Sequence, residues 1–119
     1  MTPHPATAFK IIEAADWAAA RPGGAYAGAP IDLTDGFIHL SARDQVEETA
    51  SKYFVGQSGL LLLTVDLSAL GEAVVWEPSR GGALFPHIYG ELPVAAVTAE
   101  RAFAVTDDGV MVFEDGAGL

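Results

Sequence analysis

Hydrophobic residues fall into short runs separated by glycine, proline and acidic residues, and the spacing inside the runs changes along the chain. Phe9-Lys10-Ile11-Ile12 alternates weakly and predicts a first strand. Residues 14–20 are rich in alanine around Trp17 and predict a helix, stopped by Pro22-Gly23-Gly24. Residues 25–34, with Tyr26, Gly28 and Pro30, read as a loop that leads into a strand around His39. Val46, Ala50, Tyr53 and Phe54 then repeat at helical spacing. Ser41 is placed to cap that second helix, Asp44 completes a pattern like a capping box, and Gly56 is a C-terminal stop.

The second half reads as strands. Gly59-Leu60-Leu61-Leu62-Leu63-Thr64-Val65-Asp66 shows no alternation, as expected of a central strand buried on both faces. Residues 74–77 predict another strand, with residues 78–82 as a turn or mobile loop. Residues 87–89 and 94–97 predict short strands separated by Pro93. Residues 102–105 and 110–113 flank Thr106-Asp107-Asp108-Gly109, a hairpin signal with Asp-Gly at the turn. The last residues, 115–119, read as a frayed tail. Two helices followed by about five strands with short connections give an α+β class with a mainly antiparallel sheet, in one domain over residues 1–119.

Composition narrows the chemistry. With 119 residues and half of them hydrophobic, the chain can bury a core without disulfides or a structural metal. It has no cysteine, which excludes thiol nucleophiles and thiolate metal sites and fits a reducing, cytoplasmic setting. Sixteen acids against six bases give a net charge of -10, so nonspecific binding to nucleic acid or anionic lipid is not expected. Met1-Thr2-Pro3-His4-Pro5 lacks the features of a signal peptide, and no apolar run approaches the roughly 20 residues of a membrane span. A soluble protein is expected.

Candidate chemistry concentrates in three segments. Asp35-Gly36-Phe37-Ile38-His39-Leu40-Ser41 and Phe85-Pro86-His87-Ile88-Tyr89-Gly90 each place an imidazole among apolar neighbours, where a titratable group serves a hydrogen bond or a reaction. Val74-Val75-Trp76-Glu77-Pro78-Ser79-Arg80-Gly81-Gly82 adds a carboxylate, an indole, a guanidinium and a glycine-rich turn. A neutral His39 near the start of the second helix would sit beside an anion-binding helix end, although capping alone accounts for Ser41. Glu77 is a candidate base or hydroxyl-binding carboxylate, and an edge carboxylate paired with Arg80 is the plainer alternative. Arg80 is suited to clamp a phosphate or carboxylate. His87 and Tyr89 share one face of their strand and can orient a ribose or stack on a planar ring, while a structural pair is the alternative. His39, His87 and Glu77 would hold a divalent metal only if the fold brought them together, and no local chelating spacing supports that. Elbow and phosphate-loop motifs of hydrolases and nucleotide-binding folds are absent.

The two histidine motifs, Gln45 and Trp76-Glu77 together resemble domain-of-unknown-function family 952, a family of small bacterial proteins, over about residues 9–97. The resemblance implies an ADP-ribosyltransferase-like fold, a curved, split antiparallel β-structure with two flanking helices that holds an NAD-like nucleotide in a cleft. It also implies roles: His39 holds a ribose, Tyr89 lies near the nicotinamide ribose, and Glu77 or Glu91 stabilises an oxocarbenium-like transition state. The leading expectation is therefore a nucleotide or phosphorylated small molecule bound by Ser41, Gln45, Trp76, Arg80 and Tyr89. Catalysis is assigned to Glu77, His39 and His87, with ribosyl transfer as the chemistry and no metal. A noncatalytic sensing or interaction domain is the alternative, and a divalent-metal site the third reading.

Overall fold

The computed structural model describes residues 4–119, the side chain of Arg80 excepted. The elements run β1 (Thr7–Glu13), α1 (Ala14–Ala20), β2 (Ala25–Tyr26), α2 (Pro30–Asp35), β3 (Ile38–His39), α3 (Val46–Tyr53), β4 (Leu60–Asp66), β5 (Val74–Pro78), β6 (Leu84–Ile88), β7 (Leu92–Pro93), β8 (Val97–Val105) and β9 (Met111–Phe113). The strands form a four-stranded sheet, β1-β4-β8-β9, a three-stranded sheet, β3-β6-β5, and a small β2-β7 pair. Every ladder is antiparallel. The chain is thus α+β with antiparallel sheets and few helices. An isolated bridge joins the two larger sheets, in which Phe9 and Ser41 exchange backbone bonds of 2.8 and 2.9 Å.

The leucine run fails to alternate because β4 is covered on both sides. Leu60 and Leu62 pack with Phe9, Ile11, Val46, Ala50 and Phe103, whereas Leu63 and Val65 pack in a second cluster with Ala8, Ile12, Trp17, Ile38, Ile88 and Leu92. That second cluster contains residues of both large sheets. It glues the inner face of the three-stranded sheet, carrying Ile38 and Ile88, to the four-stranded one. Strand alternation then turns the neighbouring residues of β3 and β6, His39 and His87, to the outer face. The Asp-Gly hairpin forms between β8 and β9, with Val105 opposite Met111 and Gly109 at φ 83°. A side chain on Gly109 would also meet the Ser51 hydroxyl at 2.7 Å, so glycine is required there twice over.

Four expectations need correction. The segment read as a loop holds a third helix, α2, so the described residues form three α-helices and not two; Pro30 starts it and Gly36, at φ 86°, ends it. Ser41 does not cap α3, which begins at Val46 with Gln45 at its N-cap. Its hydroxyl lies 2.9 Å from that of Thr49 instead, because the bridge to Phe9 fixes Ser41 in extended backbone before the helix starts. Tyr53 stands outside the buried stripe at 58% exposure, and α3 buries Val46 and Ala50. Residues 94–96 form a 3-10 turn, and the strand starts at Val97.

Leu63 has no exposed surface, so Leu63→Ala should cost about 2–5 kcal/mol in urea unfolding. Val55, 47% exposed in a loop, should tolerate alanine within about 0.5 kcal/mol.

Candidate functional site

The site is built backwards from one buried carboxylate. Asp32, on α2, is 2% exposed. It accepts hydrogen bonds from Lys10 Nζ at 3.0 Å, from the Ala29 amide at 2.8 Å, and from the His39 amide at 3.1 Å; His39 Nδ1 lies at 2.6 Å. A carboxylate only accepts, so Nδ1 carries the proton in that contact. Lys10 is itself buried and also donates to the His39 carbonyl at 3.1 Å. Burial pulls the Lys10 ammonium down from its ordinary value, against the upward pull of Asp32. At Asp32 burial works the other way, but Lys10, His39 and two backbone amides outweigh it and hold the carboxyl below the usual range. The pair is charged, since four donors surround Asp32 and leave a carboxyl proton no acceptor.

His39 is tied on both sides. Its Nε2 lies 2.9 Å from Oδ2 of Asp35, at the end of α2, whose side chain is 38% exposed. On the adjacent strand, His87 stands directly opposite His39, and the two ring centroids are 5.4 Å apart in an edge-to-face arrangement. His87 Nδ1 lies 2.7 Å from Glu77 Oε1, and the Tyr89 hydroxyl donates to the same oxygen at 2.8 Å. These bonds, to His87 first and Tyr89 next, hold the Glu77 carboxyl below its ordinary value, and the same bond pushes the Tyr89 phenol up. Phe37 lies nearly parallel to the His87 ring at 4.1 Å, which helps to keep His87 at 4% exposure. The outer face of the three-stranded sheet therefore carries two histidine–carboxylate dyads, Asp32–His39 and Glu77–His87, side by side.

Of the residues proposed from sequence, His39, Glu77, His87 and Tyr89 come together here. Four others do not. Trp76 points to the opposite face, packs against the core and stacks on His4 at 4.4 Å. Ser41 is buried against α3. Gln45 accepts from the Ala42 amide at 2.9 Å and donates to the Leu84 carbonyl at 2.7 Å, so it ties α3 to β6. Glu91 is exposed beyond the end of β6. The Arg80 side chain lies outside the described residues. His39 was expected beside the N-terminus of the second helix, but α3 starts seven residues later, and carboxylates flank the imidazole instead. Sequence reasoning missed Lys10, Asp32, Asp35 and Phe37. A lone lysine inside an apolar strand and an aspartate four residues before a histidine were the available signals.

Among the described residues, no three His, Asp or Glu side chains are grouped to hold a metal ion. Two open grooves, of about 490 and 530 Å³, lie elsewhere, where Pro5, Arg43 and Leu119 meet α3 and the four-stranded sheet. Neither groove is lined by a residue of the two dyads. No described helix is long and apolar enough to cross a membrane.

Residues 11–100 match the sequence profile described as "Protein of unknown function (DUF952)". The chain belongs to the DUF952 family. It is 50% identical to protein CC0527 from Caulobacter crescentus, whose crystal structure aligns with a TM-score of 0.84 over 88% of this chain and 92% of that one. The solution NMR structure of CC0527 aligns at 0.78, with 49% identity over 89% and 91% of the two chains. No curated protein matches the chain. The fold is therefore similar to that of CC0527.

The lowered Asp32 carboxyl fixes an acid dependence. Because the unfolded chain takes up the proton first, the stability from Asp32 is complete above about pH 4 and drains as pH falls toward the folded value. Asp32→Asn leaves Lys10 a buried, uncompensated charge and should cost about 3–5 kcal/mol at pH 7. In urea unfolding the gap between parent and variant should narrow by pH 3.

Proposed function

We propose that the outer face of the three-stranded sheet binds a nucleotide or a related ribose-bearing small molecule, and that Glu77, His39 and His87 supply metal-free acid–base chemistry at a ribosyl bond. The observation that carries this reading is the pair of imidazoles 5.4 Å apart, each fixed through Nδ1 by its own carboxylate. Fixing Nδ1 orients the ring and leaves proton exchange with a ligand to Nε2, on His39 in place of its contact with Asp35. Both bonds to Glu77 fall on Oε1, and Oε2 is assigned to a ribose 2'-hydroxyl, where a carboxylate stabilises positive charge developing at the anomeric carbon. Tyr89, half-exposed at the rim, offers a ring face to the base or nicotinamide. The split antiparallel architecture supports an ADP-ribosyltransferase-like reading of the fold.

A ligand sensor without turnover is the competing reading, and the burial of His87 beneath Phe37 favours it. A thermal-shift screen with NAD, ADP-ribose and nucleoside phosphates separates the cases. A bound nucleotide at a hundredfold excess over Kd should stabilise the protein by about 2.7 kcal/mol. His39→Ala should weaken that binding. Glu77→Gln should leave it largely intact and abolish NAD cleavage if the parent shows any. Binding with no turnover in the parent supports the sensor, and no shift with any nucleotide removes the nucleotide reading.

A further inference from the structure

Both histidines of the site are covered by one short turn. Asp35 sets its carboxylate 2.9 Å from Nε2 of His39. Phe37, two residues on, lays its ring on His87 at 4.1 Å with only 17° between the planes, and its centroid is 4.8 Å from that of His39 and 5.3 Å from that of Tyr89. Between them Gly36 has φ 86°, and a side chain there would meet nothing within 4 Å. The turn is open to solvent on that side.

The covering also reaches the surface. Asp35 is exposed and Phe37 half-buried, and the α2 residues before them, Ile31 and Leu33, are 59% and 65% exposed. Asp32 anchors the helix from behind. Asp35 and Phe37 can therefore leave the imidazoles by side-chain rotation while Lys10, Asp32 and the backbone stay in place. What they occupy defines two seats. One accepts an oxyanion at a histidine N-H, and the other a flat ring against an imidazole, with a single T-shaped histidine pair linking them.

We propose that the site takes a planar ring carrying an anionic oxygen group, such as an aryl or heteroaryl carboxylate, and that Asp35 and Phe37 hold its place in the empty protein. This rests on the reading of the outer face as a ligand site, but not on a nucleotide. A carboxylate from the ligand replaces that of Asp35 on His39, so the charge around the imidazole is conserved. The ring replaces Phe37 on His87, exchanging one stacked contact for another. Asp35 and Phe37 then act as intramolecular competitors, and removing either strengthens binding.

The test is a titration of the full chain with benzoate, followed by NMR of the histidine ring C-H signals. His4, stacked on Trp76 away from the site, serves as the internal control. Benzoate should shift His39 and His87 and leave His4 in place. Benzamide, which lacks the charge, and cyclohexanecarboxylate, which lacks the flat ring, should each bind about tenfold more weakly. Phe37→Ala should tighten benzoate binding by about three- to tenfold, because it removes a competitor. Asp35→Ala should do the same. Since Asp35→Ala also removes a negative charge, the charge-neutral Phe37→Ala decides, and Asp35→Ala serves with benzamide as its control if Phe37→Ala does not fold. No shift at His39 and His87, equal binding of benzamide, or weaker binding in Phe37→Ala overturns the proposal. NAD or ADP-ribose binding without benzoate binding sinks this inference and leaves the nucleotide reading standing, whereas benzoate binding alone does the reverse.

Discussion

A carboxylate taken out of water must be surrounded by donors, and the four around Asp32 come from three different places in the chain. Lys10 belongs to the four-stranded sheet, Ala29 to the start of α2, and the amide and ring of His39 to the three-stranded sheet. Satisfying one acid thus docks a short helix, sets the first histidine and ties two sheets together. An isolated six-residue helix is not stable in water; α2, with Ile31 and Leu33 facing solvent, persists because Asp32 fastens it. The demand runs both ways, since Lys10 without Asp32 would be a bare charge in the core.

The rest of the site follows from strand alternation. Ile38 and Ile88 face inward and pay for the sheet's attachment by apolar burial, which turns His39 and His87 outward and directly opposite each other. Register then brings β5 alongside, with Val75 opposite His87 and Glu77 opposite Phe85. Glu77 is diagonal to His87 on the same face, within reach of its ring and of Tyr89. The outcome is two imidazoles with separate carboxylates in a protein of net charge -10, where local pairing, not the overall field, sets the electrostatics.

Much of this was legible in the sequence, and the reason is local. The Asp-Gly turn, the unbroken leucine run and the alternation of His87, Ile88 and Tyr89 are properties of neighbouring residues, and they appear in the hairpin, the central strand and the outer face as read. The same alternation shows Trp76 and Glu77 on opposite faces, but it cannot say which face holds the site. What was missed depends on distant partners. Residues 25–34 contain the signals of a short helix, Pro30 at its start and Gly36 after its end, but six residues carry too little periodicity to outweigh the surrounding turn formers. Asp32 and Lys10 are 22 positions apart, and only the folded chain makes them one group. Ser41 was misassigned because its preference for caps is real but yields to the backbone bridge with Phe9.

The claim at the centre is that two carboxylates fix both imidazoles through Nδ1. Ring-nitrogen NMR of the folded protein at neutral pH measures this directly. His39 and His87 should both carry a proton on Nδ1, with the His39 pattern lost in Asp32→Asn and the His87 pattern lost in Glu77→Gln. Bare Nδ1 on either ring, with the proton on Nε2 alone, would contradict the account.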